Sequence, residues 1–187
     1  MTKGKQNLVI VALGANLPVG RRGPAGTLRE AARAVAARLG PVRLSSLWAS
    51  AAVPAGAGPD YVNGALALRT DLSPEAVLAA LHRIEGALGR VRGARWGARA
   101  VDLDLIAYGG AIAPSEAAWR AEAAHPADRP APAPEGLVLP HPRMHVRPFV
   151  LAPAAEVAPG WRHPVLGRTV AEMRGALPPD PGLRRLA

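Results

Sequence analysis

The sequence predicts an α+β fold with a ferredoxin-like βαββαβ core, a mainly antiparallel sheet and additional C-terminal strands or a helix. Two observations support this prediction. Segments of strand length and segments of helical periodicity follow one another in the order strand, helix, strand, strand, helix, strand. Gly and Pro separate most of these segments. In such a core two helices cover one face of the sheet, so the opposite face is free for a ligand or for additional elements.

The first strand and helix are predicted from an apolar run and from a cap motif. Residues 8–13 are continuously apolar and end at Gly14, which is typical of a strand buried on both faces. Thr27 and Glu30 have the spacing of a capping box, so we expect a helix to begin at Thr27. The Gly-Pro pair at 40–41 should end it.

Residues 42–50 and 61–68 are the next two predicted strands. The second of them alternates, so Tyr61 and Asn63 should lie on one face, with Val62 and the following leucines on the other. An ordinary exposed strand face would show the same pattern, and the residues alone do not assign this pair a function.

The second helix is predicted to begin at Ser73, because a capping hydroxyl is followed by Pro74 at the first helical position. Gly89 should end the helix. His82 and Glu85 lie three residues apart on one side of it, and taken by themselves they are most simply interpreted as a solvated pair.

The fourth strand of the core contains the most informative pattern. Residues 101–106 alternate apolar and acidic, so Asp102 and Asp104 project from the same face. Two neighbouring carboxylates repel each other unless a cation lies between them, and Mg²⁺ prefers such oxygen ligands. Four arginines precede the strand and can bind phosphate oxygens through their planar forks: Arg90, Arg92, Arg95 and Arg99. A salt-bridged strand edge beside a solvated basic loop is the alternative.

We expect residues 1–187 to form a single domain that includes a surface insertion at residues 109–136, where Ala and Pro dominate. One helical turn around residues 116–122 is the only regular structure expected in this insertion. It could serve as a lid or as a spacer.

The C-terminal part contains two histidines and one further helix signal. His141 and His145 have i,i+4 spacing, but Pro142 and Pro148 argue against the helix that would bring both onto one zinc ion. A position beside a phosphate group fits these histidines better, and a turn-stabilising role is the alternative. A capping box at residues 169–172 predicts a short helix, followed by a loose tail.

Composition excludes several classes of protein. The chain has 187 residues and no Cys, which rules out disulfides, zinc–thiolate sites and a thiol nucleophile. The early apolar run is too short to span a membrane, so we expect a cytoplasmic protein without a membrane partner. The net charge of +9 suggests nucleic acid, but aromatic residues make up only 4% and the arginines are spread over the chain. A basic enzyme with an anionic substrate is therefore preferred, and we expect no nucleic-acid partner.

Known catalytic motifs narrow the chemistry further. The chain lacks a P-loop, the Gly-rich and Asp-Phe-Gly motifs of protein kinases, and a nucleophile elbow. The chemistry that remains is phosphoryl transfer, which needs only positioned arginines and a carboxylate-held metal.

Four motifs, in order, carry a resemblance to a known family. They are Gly-Ala-Asn-Leu at 14–17, Pro-Asp-Tyr-Val-Asn at 59–63, Arg-Trp-Gly-Ala-Arg-Ala-Val-Asp-Leu-Asp-Leu at 95–105, and Pro-His-Pro-Arg-Met-His-Val-Arg-Pro-Phe at 140–149. The chain thereby resembles the 6-hydroxymethyl-7,8-dihydropterin pyrophosphokinase family over most of its length. The resemblance implies a monomeric, Mg-dependent enzyme of folate biosynthesis. Such an enzyme transfers pyrophosphate from ATP to the hydroxymethyl group of the pterin and releases AMP.

The resemblance also implies roles for individual residues. Two Mg²⁺ ions that bind with ATP would be held by Asp102 and Asp104. The catalytic arginines on the phosphates would be Arg90, Arg92 and Arg99. Residues toward the nucleotide and its phosphates would be His82, Glu85, Trp96, His141 and Arg147. The pterin would lie against the side chains of Tyr61, Asn63 and Phe149 and against backbone groups of Ser50, Ala51 and Val53.

Two other functions stay open on the residues alone. A ferredoxin-like RNA-binding module would use the basic surface and show salt-dependent affinity without turnover. A metal-dependent phosphohydrolase would use the same aspartates but transfer to water.

Overall fold

The computed structural model describes residues 6–52, 58–89, 100–125 and 136–186. Its strands are β1 (Asn7–Ala15), β2 (Val42–Leu44), β3 (Trp48–Ser50), β4 (Tyr61–Thr70), β5 (Asp102–Tyr108) and β6 (Arg184–Arg185). Its α-helices are α1 (Pro24–Leu39), α2 (Pro74–Ala87), α3 (Glu116–Ala123), α4 (Pro148–Val157) and α5 (Val170–Ala176), and a 3₁₀ turn covers Met144–Val146. No helix in these described ranges is long and apolar enough to span a membrane.

The strands form an antiparallel sheet in the order β5–β1–β4–β3–β6, and β2 also pairs with β4. This order, with α1 and α2 as the crossovers, confirms the predicted βαββαβ core. We call the side of the sheet under α1 and α2 the first face, and the side under α4 and α5 the second face.

Each face has its own apolar core. The first-face core includes Val9, Val11, Leu28, Val35, Leu66, Leu81, Leu103 and Leu105. The second-face core includes Ile10, Ala65, Ile106, Met144, Leu151, Val170 and Met173. The face expected to take a ligand or additional elements is therefore partly covered by additional helices.

Helix α1 begins earlier than the cap motif predicts. Gly23 is the N-cap and Pro24 the first helical residue. Thr27 lies inside the helix, is 1% exposed, and donates its hydroxyl to the Gly23 carbonyl at 3.4 Å. The predicted start at Thr27 is therefore wrong, because Pro24 has a backbone preset for the first turn. The predicted end is confirmed, since Gly40 follows the helix with φ of 100°.

The strand predicted at 42–50 is broken into β2 and β3. Val42 and Leu44 pair with Leu68 and Leu66, whereas Trp48 pairs with Asn63, so the register slips by one residue between the two strands. At the break, the hydroxyl of Ser45 accepts the backbone N–H of Ala65 at 2.9 Å. A slip of one residue turns every following side chain to the other face. Trp48 and Ser50 therefore lie on the second face, while Val42 and Leu44 of β2 pack on the first.

Two other predicted helix starts are confirmed. The hydroxyl of Ser73 accepts from Ala76 N at the start of α2. Thr169 and Glu172 form a complete capping box at the start of α5. Both starts are stabilised by hydrogen bonds between neighbouring residues, which a short motif indicates.

The segment 109–136 does not lie wholly on the surface. Helix α3 confirms the expected helical turn, but Trp119 within it is only 2% exposed. Its indole N–H donates to the Pro140 carbonyl at 2.7 Å. The prediction of a surface insertion therefore does not hold at Trp119, which packs α3 against the chain before His141.

The C-terminal part contains additional helices and a strand, as expected, but sequence patterns did not place helix α4 or strand β6. Helix α4 forms despite Pro153 in its interior, because most of its residues are buried and their apolar packing offsets the lost backbone hydrogen bond. The tail is not loose. Strand β6 pairs with β3, and Leu186 N donates to the Leu47 carbonyl at 2.8 Å.

Candidate active site

The candidate site is built on a row of residues that crosses the second face. Gly14 on β1 pairs with Asp102 on β5 and with Asn63 on β4, and Asn63 pairs in turn with Trp48 on β3. In the next row Ala12 separates Asp104 from β4. Neighbouring strands lie about 5 Å apart. Asp102 and Asn63 are separated by two such spacings, so they lie roughly 10 Å apart.

Gly14 leaves the middle of this row open. A side chain there would meet Asn63 Oδ1 at 3.9 Å and Asp102 Cβ at 4.0 Å, which are ordinary contacts. The fold therefore does not require glycine at this position for steric reasons. Its absent side chain instead leaves a gap between the carboxylate and the amide, where a ligand could lie against the sheet.

The amide of Asn63 is held by a defined partner. Asn63 is 5% exposed, and its Nδ2 donates to Ser50 Oγ at 2.9 Å. Ser50 shares the second face with Asn63 because of the register slip between β2 and β3. The hydrogen bond fixes which end of the amide faces β3, so its donors and acceptor have a set orientation toward a ligand.

The two carboxylates lie on the same face, as predicted, and both are partly exposed. Between them, Leu103 N donates to Oε1 of Glu85 at 2.7 Å. Glu85 is 2% exposed, so the interpretation of a solvated pair is wrong for this residue. Glu85 instead ties α2 to the edge strand and steadies the backbone that carries Asp102 and Asp104.

The segment that follows α3 runs beside the same edge strand. His141 N donates to the Ile106 carbonyl on β5 at 2.9 Å. The Nδ1 atom of His141 accepts from Arg143 N at 3.1 Å, which leaves the proton of the neutral ring on Nε2. His141 is therefore held beside β5 as a hydrogen-bond donor.

His141 is neutral near pH 7. Burial first, and then the charge of Arg147, lower its pKa from 6.5 to about 3, and Arg143 adds to this effect. Asp102 opposes the shift, which places its carboxylate within electrostatic reach of the ring. A neutral donor together with permanently charged guanidinium groups suits an anionic ligand over a wide pH range.

Phe149 lies in the first turn of α4 and packs against the second-face core. The guanidinium carbon of Arg147 lies 5.8 Å from the centre of its ring. Tyr61 is partly exposed at the start of β4 and pairs with Ser50. The structure thus places one aromatic ring beside the Asn63–Ser50 pair and another at the start of α4.

The remaining predicted residues are not gathered into this row. His82 is exposed on α2, and Ala51 is exposed just beyond β3. The predictions for Val53, Arg90, Arg92, Trp96 and Arg99 concern positions outside the described residues.

The chemistry of the donor set fits a hard divalent ion. Asp102 and Asp104 supply carboxylate oxygens from one face of one strand, the ligand type that Mg²⁺ prefers. Within the described ranges, no group of three or more His, Cys, Asp or Glu side chains comes together as a complete metal site. Protein ligands of this number suit Mg²⁺, which usually keeps waters or substrate phosphates in its remaining positions.

Some features of the site could not be found from sequence patterns. The resemblance implied contact through the backbone of Ser50, whereas the structure shows its hydroxyl holding Asn63. Arg143 was not singled out, yet its N–H fixes the ring of His141 and its charge lowers the pKa. Only its place in the Pro-His-Pro-Arg motif could have drawn attention to it.

Comparisons with known proteins show which proteins the chain is similar to. The family model described as 7,8-dihydro-6-hydroxymethylpterin-pyrophosphokinase (HPPK) matches residues 10–159. A relative from Pseudomonas aeruginosa, named 2-amino-4-hydroxy-6-hydroxymethyldihydropteridine pyrophosphokinase, is 37% identical over 178 residues, which cover 95% of this chain and 96% of the relative. A relative of the same name from Synechocystis is 42% identical over 115 residues, 62% of this chain and 49% of the relative.

The chain therefore matches about half the length of the Synechocystis relative and nearly all of the Pseudomonas one. Among solved structures, wild-type Plasmodium falciparum HPPK-DHPS matches with a TM-score of 0.62 and 13% identity. The match covers 94% of this chain and 45% of that one. At this identity the likeness shows the fold alone.

Proposed function

Because the chain belongs to the 7,8-dihydro-6-hydroxymethylpterin-pyrophosphokinase family, we propose that it transfers pyrophosphate from ATP to the hydroxymethyl group of 6-hydroxymethyl-7,8-dihydropterin. The products are AMP and the pterin diphosphate, and the reaction belongs to folate biosynthesis. The observation that carries the proposal is the row Asp102–Gly14–Asn63, which sets a carboxylate and a fixed amide on one face with an open gap between them.

Asn63 recognises the pterin in this proposal. One amide N–H is bound to Ser50, and an amide carries a second N–H and a carbonyl oxygen, which match the donor and acceptor edge of a pterin ring. Tyr61 and Phe149 form flat walls for the ring. Backbone groups of Ser50, Ala51 and Val53 complete the slot.

Asp102 and Asp104 hold the metal in this proposal, which makes the activity Mg-dependent. When two Mg²⁺ ions are bound with ATP, they supply the positive charge that offsets the triphosphate. Both aspartates are partly exposed, and the bond from Leu103 N to Glu85 steadies the strand that carries them.

The phosphates are bound by donors around the carboxylates. His141 donates from Nε2 as a neutral ring, and Arg147 supplies a permanent charge. Further catalytic arginines that stabilise the transferring group are Arg90, Arg92 and Arg99. Residues on the nucleotide side are His82, Glu85 and Trp96; for Glu85 the role is to position β5.

The transfer itself requires positioning more than covalent chemistry. The pterin oxygen bonds to the β-phosphorus as the bond from that phosphorus to the α-phosphate oxygen breaks, AMP leaves, and the hydroxyl loses its proton. A row that fixes both substrates on one rigid sheet favours such an in-line reaction. The monomeric state, the cytoplasmic location and the absence of membrane and nucleic-acid partners stay predictions.

Nucleotide product analysis tests this function. The protein is incubated with Mg²⁺ and ATP, with and without the pterin, and nucleotides are separated by chromatography. We expect AMP only when the pterin is present, and none when a chelator removes the metal. AMP formed equally without the pterin would indicate hydrolysis, and RNA binding without ATP consumption would support the binding module instead.

A further inference from the structure

Glu156 connects α4 to the break between β2 and β3. It lies in the last turns of α4, and its side chain is 26% exposed. Its Oε2 accepts from Ser46 N at 2.8 Å, and its Oε1 accepts from the indole N–H of Trp48 at 3.0 Å. One carboxylate therefore satisfies a backbone donor at the break and a side-chain donor on β3.

The C-terminal strand joins the same network. The Nε of Arg185 on β6 lies 3.8 Å from Oε1 of Glu156, and its guanidinium also donates to the Ser46 hydroxyl. Arg174 on α5 lies over the Trp48 ring, with 5.6 Å between its guanidinium carbon and the ring centre. Glu156 is thus the point where α4, β3 and β6 are tied together.

The carboxylate is held in its ionised form. Burial opposes ionisation of Glu156, but the hydrogen bonds from Ser46 and Trp48, together with the charge of Arg185, outweigh burial and lower the pKa. Hydrogen bonds to a charged acceptor are stronger than those to a neutral one. An uncharged amide of the same size would therefore hold β3 less firmly.

Both ends of this network lead to predicted pterin residues. Trp48 pairs in register with Asn63, and Ser50, two residues after Trp48, accepts from the Asn63 amide. On the helix side, Phe149 precedes Glu156 by seven residues. Seven residues make about two helical turns, so the two side chains leave the same side of α4 about 10 Å apart along its axis.

We propose that Glu156 is a positioning residue for the pterin slot. By fixing β3 against α4 it sets the gap between the Asn63–Ser50 pair on the sheet and Phe149 on the helix. Glu156 does not touch the substrate, and its role rests on the proposed function. The network is asymmetric. Binding of the pterin therefore depends on Glu156, whereas the carboxylates on β5 lie at the other end of the row and do not depend on it.

The test compares Glu156→Gln with the matched control Glu116→Gln, whose carboxylate forms an exposed ion pair with Arg120 on α3. Pterin affinity is measured by calorimetry at a saturating concentration of a non-hydrolysable ATP analogue, so that the phosphate side is filled in every sample. Affinity for the analogue alone is measured separately. Hydrogen exchange of residues 46–50 reports how firmly β3 is held.

We expect Glu156→Gln to raise the pterin Kd about tenfold, the difference between hydrogen bonds to a charged and to a neutral acceptor. The Kd of the ATP analogue should stay within twofold, and exchange at residues 46–50 should become faster. Trp48→Phe, which removes the indole N–H but keeps a ring, should shift the pterin Kd in the same direction. Glu116→Gln should change none of these quantities.

Each other outcome overturns the proposal. An unchanged pterin Kd in both Glu156→Gln and Trp48→Phe overturns the positioning role alone, provided that the wild-type protein binds the pterin. Equal weakening of pterin and nucleotide shows a general structural defect instead. A wild-type protein that binds no pterin overturns the proposed function and this role with it.

Discussion

The two faces of the sheet use the same strands for different purposes. On the first face, alternate residues of β1, β4 and β5 join an apolar core under α1 and α2. On the second face, the apolar core under α4 and α5 gives way at one end to the row of Asp102, Gly14 and Asn63. Strand alternation thus separates the residues that hold the fold from those proposed to bind substrates.

This separation explains how polar groups are accommodated at the site. A carboxylate or amide on a strand destabilises a protein when it is buried without partners. Here the apolar side chains on the first face of each strand are buried, and Asn63 on the second face is hydrogen-bonded to Ser50. Substitutions on the first face should therefore change stability, and those in the row should change activity.

The largest effect is expected at Asp104. Asp104→Ala removes one of the two proposed metal ligands, so kcat/KM for pyrophosphate transfer should fall by at least about 100-fold. The fold should persist, since the first-face core is untouched. Steady-state kinetics with circular dichroism measures both. Asp71→Ala, at an exposed position between β4 and α2, is the control, and normal turnover in Asp104→Ala contradicts the metal assignment.

A core substitution on the first face should lower stability and leave ligand binding unchanged. Leu81 on α2 is fully buried, and Leu81→Ala should lower the free energy of unfolding by about 2–5 kcal/mol through lost packing and a cavity. Urea denaturation measures this loss. Pterin and nucleotide affinities of the folded protein should be unchanged. Leu72→Ala, where the side chain is 41% exposed, should have little effect, and a loss of affinity without a loss of stability would break the comparison of the two faces.

Within the row, Asn63 should affect one substrate only. Asn63→Ala removes the amide that pairs with the pterin edge, so pterin binding should weaken by about 1–3 kcal/mol. ATP binding should not change. Titration calorimetry distinguishes the two ligands. Asn7→Ala, near the opposite end of β1, is the control because Asn7 bonds only to Tyr108 among the side-chain contacts described. Equal weakening of both ligands argues against pterin recognition by Asn63.

The smallest effect concerns acid pH and His163, which is fully buried beside Trp119. Burial, and then His145, lower the pKa of His163 from 6.5 to about 4. His163 therefore binds a proton near pH 6.5 in the unfolded chain but only near pH 4 in the folded protein. The stability that the neutral ring contributes is present above pH 6.5 and is lost as the pH falls toward 4.

His163→Asn keeps an acceptor for the backbone N–H of Val165 but cannot titrate. The difference in unfolding free energy between wild type and this variant should shrink by about 1 kcal/mol between pH 7 and pH 5.5. Urea denaturation at the two pH values measures the change. A difference that is independent of pH would show that the buried ring does not couple folding to protonation.

Local patterns predicted those parts of the fold that local interactions determine. The alternation around Asp102 and Asp104, the cap at Ser73 and the end of α1 at Gly40 are confirmed, since a few neighbouring residues fix each of them. The predicted start of α1 was wrong because Thr27 is a residue type that often caps helices. The helix instead begins three residues earlier, at Pro24.

The remaining features depend on contacts between distant parts of the chain. Helix α4 tolerates Pro153 only because its apolar side chains are buried against the sheet. The register slip that turns Ser50 toward Asn63 depends on Ser45 bonding to Ala65, twenty residues away. Glu156 bonds to Ser46 across 110 positions. Such partners leave no periodic signal in the sequence, so only the folded arrangement reveals them.

Following the β-phosphorus of ATP tests the central claim most directly. The wild-type protein is incubated with Mg²⁺, the pterin and ATP labelled at the β-phosphate, and the labelled products are separated. The proposed reaction predicts that the label leaves the nucleotide and appears in the pterin diphosphate, with unlabelled AMP in equal amount. Label retained in ADP, or released as inorganic pyrophosphate while the pterin stays unlabelled, would contradict pyrophosphate transfer to the pterin.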